Sequence, residues 1–264
     1  MGAVDIIKTM RIISLNTWGG RAGKDNLLGF FKKYGPLTDI FCLQEIWSAP
    51  YMHLDGKSAG GRTLINDQIM VHGLQEISAA LPDHIPFFRP HHGDFYGLLM
   101  LVRKTLNVIE EGEVFVHKHK GYEPKGDVGL HARNVQYVTL KTDAGLVTVM
   151  NFHGLWNGKG KGDCIERLEQ SDRILEFIKN IQNPSLLCGD FNLLPDTESI
   201  KKFEDAGFRN LIKEFGITST RTRFYDKDTP FADYAFITED IHLKDFRVLP
   251  DEVSDHAPLL IEVG

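Results

Sequence analysis

The sequence predicts a mixed α/β fold of packed sheets flanked by helices. Short apolar or alternating runs outnumber stretches of helical periodicity, and the helical stretches are inserted between groups of strands. No linker, internal repeat or low-complexity tract interrupts residues 10–264, so that span is expected to form one domain. The chain has 264 residues, 42% hydrophobic and 25% charged, an ordinary globular balance with enough apolar material for a sizeable core.

Residues 1–9 read as a leader or an appended remnant outside the fold. MRIISL, from Met10 to Leu15, predicts a buried strand that ends at Asn16, because Gly19 and Gly20 force a turn just beyond it. A helix is expected from about Asn26 to Tyr34, stopped by Gly35-Pro36. A second strand, Ile40 to Leu43, then runs into Gln44 and Glu45. After a polar loop, Leu64 to Leu81 carries apolar residues at helical spacing and is closed by Pro82. Strands are predicted at Leu98 to Val102, Val108 to Val116, Val135 to Leu140 and Val147 to Phe152. The last of these delivers Asn151, His153 and Gly154 to a strand end. Asp163 is expected to cap a helix that runs to about Asn180, with Glu166 at the capping-box position and Ile165, Leu168, Leu175 and Ile178 on its apolar face. Ser185 to Cys188 forms a strand, Thr197 to Ala206 a helix ended by Gly207, and Ala232 to Thr238, Lys244 to Leu249 and Leu259 to Val263 three further strands.

Charge and cysteine content restrict the function. A formal net charge of −6 argues against a protein that coats duplex DNA, since such binding depends on many Lys and Arg contacts to phosphate. It leaves room for a basic rim around an acidic floor. Cys42, Cys164 and Cys188 include two in apolar runs, which suggests reduced core thiols. Lacking a signal peptide, a membrane-spanning apolar run or a membrane anchor, the protein is expected in the cytoplasm, with no obligate protein partner.

The chemistry gathers where strands end. In PSLLCGDFNLLPD the buried run breaks at Gly189, leaving Asp190 and Asn192 two residues apart, on one side of an extended chain, able to address one ion or one water molecule. Asn16, Glu45, His153, Asp233, Asp255 and His256 fall at other predicted strand ends or in adjoining turns. Asp233 opens an apolar run, where a carboxylate is costly unless paired. Together these residues offer carboxylates for a hard cation, two imidazoles, and a carboxylate to orient one of them. The segment WNGKGKGD, from Trp156 to Asp163, is a basic loop but no nucleotide-binding P-loop, because its spacing is wrong and no Ser or Thr follows the Lys.

LNTW around Asn16, LQE at Glu45, NFHG at His153, GDFN at Asp190, ADY at Asp233 and SDH at Asp255 span nearly the whole chain. In that order they resemble the endonuclease/exonuclease/phosphatase superfamily, which includes DNase I-like nucleases, abasic-site endonucleases, deadenylases, neutral sphingomyelinases and inositol phosphatases. The resemblance implies a four-layer αββα sandwich of two mainly antiparallel sheets and a Mg²⁺- or Mn²⁺-dependent phosphoester hydrolase. It also implies that Glu45 is the principal metal ligand, with Asn16 and Asp255 contributing. Asp190 would activate or position the attacking water, and Asn192 would help hold that water or the phosphate. His256, oriented by Asp233, and His153 would contact phosphate. The Asp233 carboxylate is expected to raise the His256 pKa. Where family nucleases carry an aromatic hydroxyl, HHGDFYG offers Asp94, Phe95 or Tyr96.

The resemblance implies a phosphoester substrate, and of the two classes that compete for it, nucleic acid is the first expectation and a small molecule or lipid headgroup the alternative. Cations interleaved with aromatics grip single strands, and Trp156, Lys159 and Lys161, Arg221 and Arg223 before Phe224 and Tyr225, and Trp47 and Tyr51 supply that pattern. With Tyr96 and Arg133 as further substrate contacts, this favours a phosphodiesterase acting on single-stranded or damaged nucleic acid, in endo- or exonuclease fashion. The acidic balance and the lack of a basic tail favour instead a phosphatase or phosphodiesterase for a small molecule or lipid headgroup. A non-catalytic binding module would have lost motif residues, and none is missing.

Overall fold

A strand that is apolar on both faces needs an apolar layer on each side, and stacked sheets covered by helices provide it. The structure, a computed structural model, describes residues 9–264. The expected leader, Thr9 apart, lies outside the described residues. The chain begins with β1 (Met10–Asn16), α1 (Lys24–Tyr34) and β2 (Ile40–Trp47), followed by a small hairpin of β3 (Ser58–Ala59) and β4 (Arg62–Thr63), then α2 (Gly73–Ala80). Next come β5 (His84–His92), β6 (Tyr96–Arg103), β7 (Asn107–His117), β8 (Arg133–Thr142) and β9 (Gly145–His153). The last part alternates: α3 (Ile165–Ile181), β10 (Ser185–Asp190), α4 (Glu198–Asp205), β11 (Arg209–Asn210), α5 (Leu211–Glu214), then β12 (Asp233–Ile237), β13 (Leu243–Val248) and β14 (Leu259–Val263).

Two six-stranded sheets result, ordered β13-β14-β1-β2-β6-β5 and β11-β12-β10-β9-β8-β7. Each is antiparallel except for one central parallel pair, β1 with β2 and β9 with β10. Alternation sorts the apolar residues into layers. Ile12, Ile40, Cys42, Met100 and Val102 join the core shared with Val138, Met150 and Leu187 of the second sheet. Their neighbours Ile13, Phe41, Leu43, Leu99 and Leu101 point the other way, against Leu27, Phe31 and Ile77 of α1 and α2. Ile174 of α3 and Ile200 and Phe203 of α4 cover the second sheet. Among the described residues, no helix is long and apolar enough to cross a membrane.

Several local expectations differ from the structure. Only the second half of the expected 64–81 helix is helical. Leu64 N donates to Lys57 O at 3.0 Å and Met70 N to Gly19 O at 2.8 Å, so backbone donors that a helix would use are taken by distant segments. Strand β5 has no counterpart among the predicted strands because Pro86 and Pro90 interrupt it, which an edge strand tolerates. Asp163 does not cap α3. It accepts from Glu198 N at 2.7 Å and from Ser199 N at 3.0 Å, at the start of α4. Ile165 is 72% exposed, and the buried face of α3 is Arg167, Gln170, Ser171 and Ile174.

Polar groups tie the two sheets together beneath the strand ends. Gln44 Nε2 donates to Asn151 Oδ1 at 2.7 Å and to Cys42 O at 3.0 Å, while Asn151 Nδ2 donates to Leu43 O at 3.0 Å and to Gln136 Oε1 at 3.3 Å. All these side chains are fully buried. Breaking such a network leaves several groups desolvated without partners. Asn151→Ala should therefore cost about 3 kcal/mol of stability in urea unfolding. A loss below about 0.5 kcal/mol, the size of a surface substitution, would show that the network is not a tie.

Candidate active site

Parallel neighbours end at the same edge of a sheet, so the two central pairs gather their last residues at one end of the molecule. Asn16 lies opposite Gln44 on β1 and β2, and His153 opposite Asp190 on β9 and β10. Asp233, which opens the antiparallel β12, is also in register with Asp190. His153, Asp190 and Asp233 thus stand abreast on three adjacent strands. Two glycines allow the backbones to close here. A Cβ on Gly189 would lie 1.9 Å from Phe152 O, and one on Gly154 would lie 2.3 Å from Phe191 O.

Asp190 and Asn192 reach the same cleft by a turn rather than by strand alternation. Asn192 adopts a left-handed conformation with φ 55°. Its backbone N donates to Asp190 Oδ1 at 2.8 Å and its Nδ2 to Gly154 O at 3.3 Å, which locks the NFHG and GDFN segments to each other.

The first sheet contributes Asn16 and Glu45. Asn16 Nδ2 donates to Asp190 Oδ2 at 2.9 Å and to Glu45 Oε1 at 3.2 Å, and its Oδ1 accepts from Trp18 N at 2.9 Å. The carboxamide therefore holds two carboxylates from different sheets. Glu45 itself lies inside β2, where the register against β6 shifts between Leu43 and Ile46, and its φ of 59° is left-handed. Backbone strain of this kind clusters at functional sites. Burial pushes the Glu45 carboxyl above its ordinary pKa; Arg21, whose Nη1 is 3.9 Å from Oε2, and the Asn16 bond oppose the rise, and Asp190 adds to it. Burial also raises Asp255, against His256 and the Arg221 guanidinium at 3.3 Å.

His256 and Asp233 form a buried pair. His256 Nδ1 donates to both Asp233 oxygens, at 2.8 and 2.9 Å, and Thr220 Oγ1 donates to Asp233 Oδ2 at 2.9 Å. The other ring nitrogen, Nε2, lies 3.6 Å from Asp190 Oδ2 and 3.7 Å from Asp255 Oδ1. The expected rise of the His256 pKa is reversed. Burial lowers it to about 4, with Arg221 acting in the same direction, and burial raises Asp233 to about 6. Loss of hydration outweighs the carboxylate contact, so at neutral pH the imidazole is uncharged and Nε2 is left as an acceptor. His153 Nε2 is 3.7 Å from Asp190 Oδ2, and burial depresses its pKa as well.

Glu45, His153, Asp190, Asn192, Asp255 and His256 line one cleft, with Asn16 and Asp233 bonded just beneath it. Tyr96, Arg133, Trp156, Lys161 and Arg221 line the same cleft. Lys159 and Arg223 do not. Lys159 is exposed, and the Arg223 side chain is 72% exposed and paired with Glu252 at 3.0 Å. The basic loop is not an open gripping surface either: Trp156 Nε1 donates to Gly60 O at 2.9 Å, and Lys161 turns inward to Phe231 O at 2.6 Å. Burial, then Arg221, lowers the Lys161 pKa to about 8. Sequence reasoning missed Arg21 and Thr220. Arg21 follows the Asn16 strand end within its turn and could have been suspected, but nothing local marks Thr220.

A hard divalent cation suits this donor set, which offers carboxylate oxygens crowded together and raised by burial, with no thiolate among them. One compact trio is Asp190, Asp233 and His256, with candidate atoms within 4.8 Å of one another. Asp233 is already committed to His256 and Thr220, however, which leaves Glu45, Asp255 and Asp190 as the better-matched oxygens.

A family model described as the endonuclease/exonuclease/phosphatase family matches residues 13–256. No curated protein matches the sequence. Among solved structures, an endonuclease/exonuclease/phosphatase family protein from Bacteroides thetaiotaomicron is 19% identical with a TM-score of 0.71, covering 97% of this chain and 98% of the other. The mannosyl-6-phosphatase of Bacteroides thetaiotaomicron VPI-5482 is also 19% identical with a TM-score of 0.71, at 97% and 99% coverage. The human Nocturnin catalytic domain, solved with a bound sulfate, is 16% identical with a TM-score of 0.64, at 97% and 93% coverage. These similarities establish the four-layer fold.

The Asn16 amide stabilises the charged form of Glu45, so removing it leaves burial and Asp190 less opposed. In metal-free protein, Asn16→Ala should raise the Glu45 carboxyl pKa further, read from a ¹³C carboxyl NMR titration. An unchanged or lower value would contradict the assigned role of the carboxamide.

Proposed function

The chain belongs to the endonuclease/exonuclease/phosphatase family, and we propose that it is a Mg²⁺- or Mn²⁺-dependent phosphoester hydrolase acting on a small-molecule phosphoester. The observation that carries this is the convergence on Asp190: Asn16 from one sheet and the His256–Asp233 pair and His153 from the other all meet at its Oδ2.

In-line displacement at phosphorus needs an aligned nucleophile and relief of negative charge. Asp190 is held by Asn16 and by Asn192 N, so its carboxylate is rigid enough to orient a water and take its proton. His256 is kept in one tautomer by Asp233, and its Nε2 faces the same oxygen. His153 approaches from the neighbouring strand to contact the phosphoryl oxygens. Glu45 and Asp255, with Asp190 beside them, would hold the cation, and Asn16 acts as a positioning residue. When bound, that cation supplies Lewis-acid neutralisation of the phosphoryl charge.

The cleft favours a small substrate because the cationic loop expected to follow a polymer is folded inward at Lys161 and pinned at Trp156. A second reading, a phosphodiesterase for single-stranded nucleic acid, is supported by Trp18, whose ring lies 5.9 Å from the Arg21 guanidinium and 5.8 Å from that of Arg62. The buried, free thiols of Cys42 and Cys188 support the cytoplasm as its compartment.

Hydrolysis of aryl phosphoesters in Mg²⁺, Mn²⁺ or EDTA tests the proposal. Asp233→Asn and His256→Ala should each lower kcat by about 10², and the double variant should be little worse than the worse single one, because the pair acts as a unit. Multiplicative losses would separate the two residues, and turnover that survives EDTA would refute the metal requirement.

A further inference from the structure

The cleft contains two buried cations that make no ion pair among the described residues, although the carboxylates of Glu45 and Asp190 act on Arg133, and those of Asp190, Asp233 and Asp255 on Lys161, from a greater distance. Arg133 opens β8 and is 2% exposed. Its Nη2 donates to Gly129 O at 3.2 Å, but Nε and Nη1 make no hydrogen bond to any described group. Lys161 is 4% exposed, and its Nζ donates to the main-chain Phe231 O at 2.6 Å. A carbonyl solvates an ammonium without cancelling its charge. Arg21 and Arg221, on the same cleft, already face Glu45 and Asp255. Buried donors without partners are costly, so the open N–H groups of Arg133 imply an oxygen-rich ligand that comes to meet them. The unpartnered N–H groups of a guanidinium suit the oxygens of a phosphate, to which they donate charge-assisted hydrogen bonds.

The cleft is also closed beside Arg133. Gly60 N, Ser58 Oγ and Gly61 N, at the β3–β4 hairpin, donate to Asp127 at 2.7, 3.1 and 3.4 Å. Asp127 also accepts from Gly129 N at 2.7 Å, which joins the hairpin to the very turn that Arg133 contacts. Trp156 Nε1 clasps Gly60 O from the other side. A Cβ on Gly129 would come within 2.6 Å of Gly60 N, so no chain passes between the two segments.

Resting on the hydrolase reading above, we propose that the substrate is a phosphomonoester. Its terminal, dianionic phosphoryl group is met by Arg133 and Lys161 against the hairpin wall, a position that an internal diester, with one charge and a second substituent, fills poorly. In the reaction a water oxygen bonds to phosphorus as the ester P–O bond breaks. One water proton ends on the departing alkoxide and the other remains on the phosphate.

The deciding comparison is p-nitrophenyl phosphate against methyl p-nitrophenyl phosphate, which share a leaving group and differ by one methyl and one charge. With Mg²⁺ or Mn²⁺, the wild type should show a kcat/KM at least about tenfold higher for the monoester. Arg133→Gln should lower the monoester value by about 10² and the diester value far less. A preference for the diester, or equal losses on both, would overturn the proposal. Absence of turnover on either ester would defeat the hydrolase reading instead. Calorimetry with inorganic phosphate and dimethyl phosphate then decides separately: phosphate should bind more tightly than dimethyl phosphate to the wild type and about tenfold more weakly to Arg133→Gln. Equal binding of the two anions, or unchanged phosphate binding in the variant, would refute the assignment. Without ligand, Arg133→Gln should melt no lower than the wild type, since it gives up a buried guanidinium with two unpartnered N–H groups. A lower melting temperature would mark Arg133 as structural and overturn the inference.

Discussion

One carboxamide bridging two carboxylates is the contact on which the rest of this structure depends. Glu45 and Asp190 come from different sheets, carry the same charge, and both bond to Asn16 Nδ2. Like charges brought together out of water repel strongly, so the arrangement persists only if the surroundings fix each partner. The Gln44 and Asn151 amides bind the sheets to each other below, the left-handed turn at Glu45 aims its side chain, and the Asn192 turn holds Asp190 from the other side. The parallel central pairs of the two sheets make this possible, because they end side by side.

The site balances its charges in separate compartments. Asp233 is reserved for His256 by two short contacts and a threonine hydroxyl, which keeps the imidazole in one tautomer. Arg21 and Arg221 moderate Glu45 and Asp255. Arg133 and Lys161 make no ion pair among the described residues and bond main-chain oxygens instead, Gly129 O and Phe231 O.

Much of this was legible in the sequence because the decisive residues sit where apolar runs break. Asp190 after SLLCG and Glu45 after IFCLQ announce themselves as charges at the mouths of buried strands. What was not legible depends on partners far along the chain. The 64–70 segment has helical spacing but spends its backbone donors on Lys57 and Gly19. Asp163 looks like the cap of the next helix and instead serves one that begins at Glu198. The sign of the His256 shift follows from burial and Arg221, neither of which a neighbouring Asp in the sequence reveals. Lys161 reads as a flexible surface cation until the fold turns it inward.

A cation bound here should sit against the carboxylates gathered around Asn16, with Asp233 kept by His256. Anomalous diffraction from crystals of the wild-type protein grown with Mn²⁺ tests that division directly. The predicted peak lies against a Glu45 oxygen, with Asp255 or Asp190 as a further ligand and the His256–Asp233 hydrogen bonds intact. A peak enclosed by Asp190, Asp233 and His256, with Asp233 turned away from the imidazole, would contradict it.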